Sequence, residues 1–434
     1  MNKSEILEVL KDWNLWEKPL EEGISRPEYV GKMREQIASG QVLIVTGARR
    51  SGKSFLMRQL ASSLCSDGLK KNQILFVNFE DPRWIGADAV LLDEIFHVYL
   101  EFVRPEGKPY LFLDEIQEVE GWEKWVRSIH ELGKATIVLS GSNAKLLSRE
   151  LGTVLTGRHV DVTVYPLSFS EFLSFKGMDA SSDRLGGYMR EYVERGAFPA
   201  LVVSGTSVSE WLLSYYDDLL EKDLIRRFKV RKTEELKSLL RFYMSNIAKP
   251  TTFHSAGKFL GISSDTTEKF MIYFEQSYLL FPLRRFSSGF KGQQKSPRKI
   301  YAVDTALARV SGFRSGEDFG RMAENIVYLE LLRGRMRYPE REYFYWKDER
   351  AGRDGGEVDF VVKSGADIAE IMQVCMGDFR GDVRRRELRA IKKAAERLHP
   401  KKCTVITEEY SGTEEFPYGE VEFVPLEKWL VRSK

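Results

Sequence analysis

Five short runs in the first 165 residues combine β-branched, aromatic and aliphatic residues, and each predicts a buried strand. They are Val42–Thr46, Ile74–Phe79, Tyr110–Glu115, Ala135–Ser140 and His159–Val164. Stretches with apolar residues at helical spacing separate them, as at Phe55–Leu64 and Val90–Val103. Strands that alternate with helices imply right-handed crossovers and a parallel sheet. The pattern therefore predicts an α/β layer whose ligands bind beyond the carboxyl ends of the strands.

The loop after the first strand is rich in glycine and reads Gly47-Ala48-Arg49-Arg50-Ser51-Gly52-Lys53-Ser54. It matches G-x-x-x-x-G-K-[ST] at every fixed position, between a strand and a helix. Its glycines permit a tight turn whose backbone N–H groups point at phosphate oxygens, and the helix start adds a positive end. We expect Lys53 to bind the β- and γ-phosphates, Ser54 to bind Mg²⁺, and Phe55 to line the same nucleotide site. The alternative is a glycine-rich turn with an exposed lysine.

Polar residues follow two of the later strands at the same predicted edge. The third strand closes on Asp114 and Glu115. We expect Asp114 to hold the hydration shell of Mg²⁺ and Glu115 to orient and deprotonate the attacking water. The alternative is two solvated acids at a strand end. The fourth strand leads into Ser142 and Asn143, one of which could sense the γ-phosphate. We select Asn143, and the alternative is a plain strand-to-helix turn.

Arginines near the fifth strand are candidates for a residue supplied to a neighbouring subunit. Such an arginine often neutralises the γ-phosphate in trans. Arg158 is the first candidate and Arg149 the second. The alternative for either is an ion pair with a surface acid. A residue that acts in this way is called an arginine finger, and its action on a neighbouring subunit predicts a homo-oligomer.

Length and composition limit the remaining possibilities. A chain of 434 residues is expected to form two or three domains. The formal net charge is only +2, so any basic surface for nucleic acid must be local. Three widely separated cysteines, Cys65, Cys375 and Cys403, form neither a disulfide framework nor a zinc motif. With no run of 18 apolar residues and no signal-peptide core, we expect a cytoplasmic protein without membrane contact.

The middle of the chain predicts two helical modules. Residues 166–233 have apolar residues at helical spacing and are expected to form a helical lid on the ATPase core of residues 1–165. Residues 234–310 predict a winged helix, because Gly261-Ile262-Ser263 separates two helices and two strands follow. The loop between those strands is basic and free of acids. Its Lys291, Lys295 and Arg298 are candidates to contact double-stranded DNA, the alternative being a winged helix that contacts only protein.

Residues 320–434 predict a smaller α/β domain that has acids at the spacing of a metal-dependent nuclease. Glu324 lies on a helix, and Asp359 and Gln373 lie on two successive strands. In nucleases of the PD-(D/E)XK type the strand residues hold Mg²⁺ and a lysine two positions further helps to activate water. Cys375 stands at that lysine position. A neutral thiol cannot supply the positive charge, so we expect the fold to persist without cleavage.

Taken in order, six motifs resemble those of a known group of bacterial and archaeal AAA+ ATPases. They are the Gly47–Ser54 loop, Leu113–Gln117, Gly141–Asn143, Thr156–Arg158, Pro166–Phe172 and Gly356–Phe360. The resemblance covers nearly everything after residue 25. It implies an α/β P-loop NTPase sheet with a helical lid, then a winged helix, then a restriction-endonuclease-like domain. It also implies ATP and Mg²⁺ as cofactors and ATP hydrolysis as the activity, with DNA binding plausible.

Three functions remain open at this point. The first is a DNA-associated ATPase that couples hydrolysis to movement of the winged helix and C-terminal domain. The second is a nucleotide-dependent switch whose partners are proteins. The third is an ATP-gated nuclease, which Cys375 disfavours.

Overall fold

The computed structural model describes most of the chain. The described residues are 1–143, 157–179, 184–204, 206–287, 289, 292–293, 296–312, 319–348, 356–377, 381–417 and 419–432. Contacts divide the chain into two units. The first comprises Met1–Val164 with Gln276–Tyr278, and the second comprises Tyr165–Glu275 with Leu279–Lys434. The predicted boundaries within the second unit, at residues 233 and 310–320, stay predictions.

The first unit is built on a five-stranded parallel sheet in the order β2-β3-β4-β1-β5, which confirms the predicted parallel layer. Its strands are β1 (Val42–Gly47), β2 (Ile74–Asn78), β3 (Tyr110–Asp114), β4 (Thr136–Gly141) and β5 (His159–Val164). Its helices are α1 (Lys3–Trp13), α2 (Pro27–Ile37), α3 (Lys53–Ser66), α4 (Ala89–Phe102) and α5 (Trp122–Glu131). The aliphatic side chains of β1 and β3 are buried, as expected for strands covered on both faces.

A buried asparagine ties the first helix to the sheet edge. Asn14, directly after α1, donates from Nδ2 to the carbonyls of Leu10 and Phe76, and its Oδ1 accepts from the Phe76 N–H. Phe76 lies on β2, the edge strand, whose backbone groups would otherwise lack partners. The lead-in segment is therefore an integral part of the nucleotide unit.

The second unit begins with a helical region. Its elements are α6 (Phe169–Phe175), α7 (Leu185–Arg195), α8 (Pro199–Val203), α9 (Val208–Asp218) and a π-helical segment, Leu219–Arg226. Three further helices are α10 (Thr233–Ser245), α11 (Phe253–Leu260) and α12 (Ser264–Gln276). With them comes an antiparallel sheet in the order β6-β8-β7, formed by β6 (Pro250–Thr251), β7 (Leu280–Leu283) and β8 (Arg298–Ala302).

The remainder of the second unit is a six-stranded mixed sheet in the order β13-β14-β12-β11-β10-β9. Its strands are β9 (Arg341–Lys347), β10 (Glu357–Ser364), β11 (Asp367–Cys375), β12 (Cys403–Thr407), β13 (Gly412–Phe416) and β14 (Gly419–Pro425). Its helices, after the connecting α13 (Thr305–Ser311), are α14 (Phe319–Gly334), α15 (Gly381–Leu398) and α16 (Leu426–Arg432). Among the helices described, none has both the length and the apolar character needed to cross a bilayer.

Candidate nucleotide site

The loop between β1 and α3 has a backbone that only glycine allows at its first position. Gly47 has φ +141°, and a Cβ there would lie 2.0 Å from the Val164 carbonyl oxygen on β5. Arg50 and Gly52 also have positive φ, at 61° and 100°. A loop with several left-handed residues turns successive N–H groups toward one side, which is the geometry of an anion-binding nest.

The lysine of this loop is held inside it. Lys53 is 4% exposed, and its Nζ donates to the carbonyls of Gly47 and Ala48, at 3.2 Å each. Ser51 is also fully buried, and its Oγ has no hydrogen-bond partner among the residues that the structure describes. An inward-facing ammonium, an orphaned hydroxyl and the turned backbone together fit a bound phosphate group.

The two acids at the end of β3 reach this lysine. Glu115 Oε1 lies 3.6 Å from Lys53 Nζ. Glu115 has φ 52°, a conformation that non-glycine residues seldom adopt, and such backbone is concentrated at functional sites. Its other carboxylate oxygen accepts a hydrogen bond of 2.5 Å from Gln117 Nε2. Glu115 is thus fixed with one oxygen toward the loop.

Asp114 is the most buried acid of the site, at 1% exposure. Ser140 on β4 donates its hydroxyl to Asp114 Oδ1, and the Ser140 oxygen accepts from the Glu115 N–H at 3.0 Å. The hydroxyl of Ser54 also interacts with Asp114 and favours its charged form. Burial first, and then the nearby Glu115 carboxylate, raises the pKa of Asp114 to about 6. A hydroxyl and a carboxylate in contact are oxygen ligands of the kind that Mg²⁺ prefers, so Ser54 and Asp114 fit that ion.

Three further predicted nucleotide-binding residues lie in the loop, directly after it, or just after β4. Arg49 pairs with Glu80 through an N–O distance of 2.7 Å. Asn143, which follows β4, is buried at 6% exposure. The ring of Phe55 is 39% exposed, and the Arg58 guanidinium lies 5.3 Å from its centre. Their contacts with nucleotide stay predictions.

The candidate arginine finger lies on the surface of the first unit. Arg158 donates to Glu131 at the end of α5, and both side chains are more than a third exposed. This is the ion pair that the sequence left open as the alternative to a role in trans. Arg149 lies outside the residues that the structure describes.

Two residues that support the site were missed in the sequence. Ser140 was assigned only to a strand, although it joins Asp114 to the Glu115 backbone. No role was predicted for Arg26, which directly precedes Pro27 at the start of α2. It is 3% exposed and donates from Nη1 to the Ser51 carbonyl at 2.9 Å. A buried arginine beside a proline at a helix start carries no local signal for a role at a loop 25 residues away.

The structure describes one of the three residues that were predicted to contact DNA. Arg298 is half-buried, and its guanidinium lies 4.6 Å from the centre of the Phe253 ring. Lys291 and Lys295 lie outside the described residues. Whether the segment contacts DNA stays a prediction.

The predicted nuclease residues come together in part. Glu324 and Asp359 both contact the ammonium of Lys299. Gln373 lies beside Asp359, but its Oε1 accepts the Asp359 N–H at 3.2 Å and its Nε2 donates to Glu387. Its side chain is therefore committed to protein groups. Burial, and then Glu387, raises the pKa of the Cys375 thiol to about 11, so this position carries no charge at neutral pH.

Family models match three consecutive parts of the chain. Residues 39–173 match the model of an AAA domain. Residues 187–316 and 319–429 match two models described as domains of unknown function, DUF8612 and DUF4143. The AAA match spans the loop, Asp114 and Glu115, so the first unit contains an AAA-like P-loop domain.

Comparisons with known proteins and with solved structures also found matches. The Walker-type ATPase of Pyrococcus abyssi is 15% identical to this chain and superposes on it with a TM-score of 0.43. The match covers 67% of this chain and 96% of that chain. DnaA of Aquifex aeolicus, bound to AMPPCP, gives a TM-score of 0.30 at 13% identity over 57% of this chain and 86% of its own. An uncharacterized protein of Methanocaldococcus jannaschii, MJ1544, is 29% identical over 91% of this chain and 89% of its own.

An uncharacterized protein of Haemophilus influenzae is 31% identical over 353 residues, which are 80% of this chain and 85% of that protein. At this identity and coverage the two proteins share one architecture. The chain therefore belongs to the same family as the H. influenzae protein, and it has an AAA domain at residues 39–173.

Proposed function

We propose that the chain binds ATP at the Gly47–Ser54 loop and hydrolyses it with the help of Mg²⁺. One observation carries the proposal. Lys53 and Ser54 at the start of α3 meet Asp114 and Glu115 at the end of β3, with contacts between Lys53 and Glu115 and between Ser54 and Asp114. Phosphate-binding lysine, metal ligands and a base in one place are the parts that phosphoryl transfer to water requires.

Each side chain has a defined task in this proposal. Lys53 exchanges the carbonyls of Gly47 and Ala48 for the β- and γ-phosphates. Ser54 and Asp114 hold Mg²⁺, which supplies positive charge against the phosphate oxygens. Glu115 accepts the proton of the attacking water, and the hydrogen bond from Gln117 to its second oxygen keeps it oriented. Ser140 holds both acids in place.

The residue proposed to act in trans is Arg158. Its partner Glu131 is exposed, and exposed ion pairs contribute little to stability, so a neighbouring subunit's γ-phosphate can compete for the guanidinium. ATP turnover per chain would then rise with protein concentration. Turnover that is independent of concentration, and unchanged in Arg158→Ala, would remove this part of the proposal.

The ATPase assignment is tested by phosphate release from the full chain. Lys53→Ala is expected to lower the turnover rate at least about 100-fold, the usual effect of removing a group that stabilises transition-state charge. Lys70→Ala is the matched control, because Lys70 is exposed and forms a surface ion pair with Glu106. Normal hydrolysis by Lys53→Ala would show that the site is wrongly assigned.

We also propose that the middle of the second unit contacts double-stranded DNA as a winged helix. The order of α10, β6, α11, α12, β7 and β8, with β8 between the other two strands, supports this. The basic residues are Lys291, Lys295 and Arg298.

Anisotropy titrations with duplex DNA at several salt concentrations test this DNA contact. The double variant Lys291→Ala, Lys295→Ala should make the logarithm of the affinity depend less steeply on the logarithm of the salt concentration, because about two fewer counterions are released on binding. An unchanged slope contradicts the DNA contact.

A second candidate function is a nucleotide-dependent switch whose partner is a protein. The candidate recognition helix α12 carries Asp265, Glu268 and Glu275 against a single basic residue, Lys269, and such a balance repels phosphates. Two apolar side chains of this region are exposed, Phe259 at 75% and Ile272 at 43%. Exposed apolar residues of this size suit a protein surface better than a phosphate backbone.

The two candidates are separated by one capture experiment. The full chain is used as bait after nuclease treatment, with ATP or ADP present. A protein partner that is held with one nucleotide only, and lost in Phe259→Ser, supports the switch. If nuclease treatment removes all captured material, the DNA-associated function is supported instead.

A further inference from the structure

A lysine is buried among three carboxylates in the second unit. Lys299 lies on β8 and is 2% exposed. Its Nζ is 2.9 Å from Glu324 Oε1, 2.9 Å from Glu357 Oε1 and 2.8 Å from Asp359 Oδ1. The contacts with Glu324 and Asp359 are hydrogen bonds and the contact with Glu357 is an ion pair, so three carboxylates share one ammonium.

The strand that supplies this lysine is fixed to helix α14 at two further points. The Tyr301 hydroxyl donates to Glu324 Oε1 at 2.7 Å. Asn325, fully buried on α14, accepts from the Ala302 N–H at 2.7 Å and donates to the Ala302 carbonyl at 2.9 Å. Successive residues of β8 and α14 are therefore joined by side-chain bonds, which position the lysine accurately.

Two of the remaining oxygens of the acid cluster also contact protein groups. Asp359 Oδ2 accepts the Val374 N–H at 2.9 Å, and Glu357 Oε2 lies 3.6 Å from Lys347 Nζ. Burial, and then the Asp359 carboxylate, raises the pKa of Glu324 to about 7, while Lys299 opposes that rise. The buried acids thus depend on this one ammonium for most of their charge compensation.

We propose that Lys299 is a built-in cation that closes this pocket to divalent metals, so that no metal-dependent nuclease chemistry occurs there while β8 is in place. The lysine comes from β8, which precedes the C-terminal sheet and pairs with β6 and β7. The contact is therefore autoinhibitory. The proposal is independent of ATP hydrolysis.

Space and charge both support the exclusion. Mg²⁺ and Mn²⁺ bind oxygens at about 2.0–2.2 Å, so either ion would have to sit within the triangle of carboxylate oxygens that Nζ occupies. The ammonium and the ion repel each other and compete for the same lone pairs. Removal of Lys299 takes the shared ammonium away from three carboxylates, which are good ligands for a hard cation.

The proposal is tested by counting bound Mn²⁺ from the electron paramagnetic resonance of the free ion, without nucleotide. All proteins carry Asp114→Asn, which silences the loop site. Addition of Lys299→Met is expected to add one Mn²⁺ per chain, and a further Asp359→Asn should abolish it. Lys347→Met is the matched control, because that lysine touches Glu357 only from the exposed side, and it should add none.

Lys299→Met leaves buried charge and can impair folding. Lys299→Met with Glu357→Gln has one carboxylate fewer and serves as the second variant, and both are also refolded with and without Mn²⁺. If neither variant gains an ion in either form, the proposal is wrong. It is equally wrong if the chain with Lys299 intact binds an Mn²⁺ that Asp359→Asn removes, or cleaves plasmid DNA in an Asp359-dependent manner.

Discussion

The Lys53 ammonium lies 3.6 Å from the Glu115 carboxylate, and both side chains are buried. The proposed phosphate-binding lysine and the proposed base therefore neutralise each other at the loop. In the proposed mechanism an entering triphosphate has to compete with Glu115 for the lysine, and a buried pair of charges resists such an exchange more than an exposed pair does. The proposal therefore couples ATP binding to activation of the base at this contact.

Replacement of the base should separate binding from hydrolysis. Glu115→Gln keeps the shape of the side chain but removes both the proton acceptor and the competing charge. We expect turnover to fall by roughly 100- to 10,000-fold, as for loss of a general base, and ATP affinity to stay equal or rise. Equilibrium binding of a fluorescent ATP analogue and phosphate release measure the two effects. Loss of affinity together with turnover would contradict the role as base.

The first glycine of the loop should tolerate no side chain. Gly47→Ala would place a Cβ 2.0 Å from the Val164 carbonyl oxygen, so β1 and β5 would have to separate. We expect a loss of more than about 3 kcal/mol in the free energy of unfolding or no soluble protein. Gly40→Ala is the control, because Gly40 also has positive φ but no atom within 4 Å of the added Cβ. It should lose only about 1 kcal/mol, measured by urea denaturation.

A half-buried glutamate on α12, Glu275, should make stability depend on pH. Burial raises the pKa of Glu275 to about 7, against the opposing effect of Arg298 and Arg284. The folded state therefore holds the proton more tightly than the unfolded state between about pH 4.5 and 7. The free energy of unfolding consequently falls as the pH rises through that window, and the full destabilisation is present above it.

Glu275→Gln should remove this dependence. The variant is expected to be more stable than the parent at pH 8, by on the order of 2–3 kcal/mol, and nearly equal to it at pH 4.5. Denaturant melts at both pH values measure the difference. Glu268→Gln, on the exposed face of the same helix, is the control. An equal effect of both variants at pH 8 would show that the buried charge is not the cause.

A tyrosine far along the chain should be coupled to the strand that enters the loop. The Tyr278 hydroxyl donates to Thr46 Oγ1 at 2.7 Å, and Thr46 immediately precedes Gly47. A double-mutant cycle of Tyr278→Phe and Thr46→Val should give a coupling free energy of about 0.5–1.5 kcal/mol. Additive effects would mean that the hydrogen bond contributes nothing to stability.

The nucleotide site was largely predictable because its signals are local. The fixed positions of the loop, the apolar strand before it and the acids that end β3 lie in short segments whose placement follows from a parallel sheet. Ser140 was not predictable, since a serine inside an apolar strand gives no sign that its hydroxyl bonds both Asp114 and the Glu115 backbone. That contact depends on the order of β3 and β4 in the sheet.

The C-terminal acids show where local signals fail. Spacing identified Glu324 and Asp359 as neighbours, and both do contact one cation. It also predicted Gln373 as a metal ligand, whereas its amide bonds the Asp359 N–H and Glu387. The cation is Lys299, which is 25 residues from Glu324 and 60 from Asp359. A lysine in a short strand is ordinarily solvent-exposed, so its burial can be learned only from the three-dimensional structure.

The grouping of Gln276–Tyr278 with residues 1–164 matters for any attempt to dissect the protein. A fragment that stops near residue 165 lacks the tyrosine ring and leaves the Thr46 hydroxyl beside the phosphate loop without this partner. If such a fragment were inactive, the missing Tyr278 ring would explain the result as readily as the missing domains. Point variants in the intact polypeptide therefore offer the cleaner way to assign tasks to its parts.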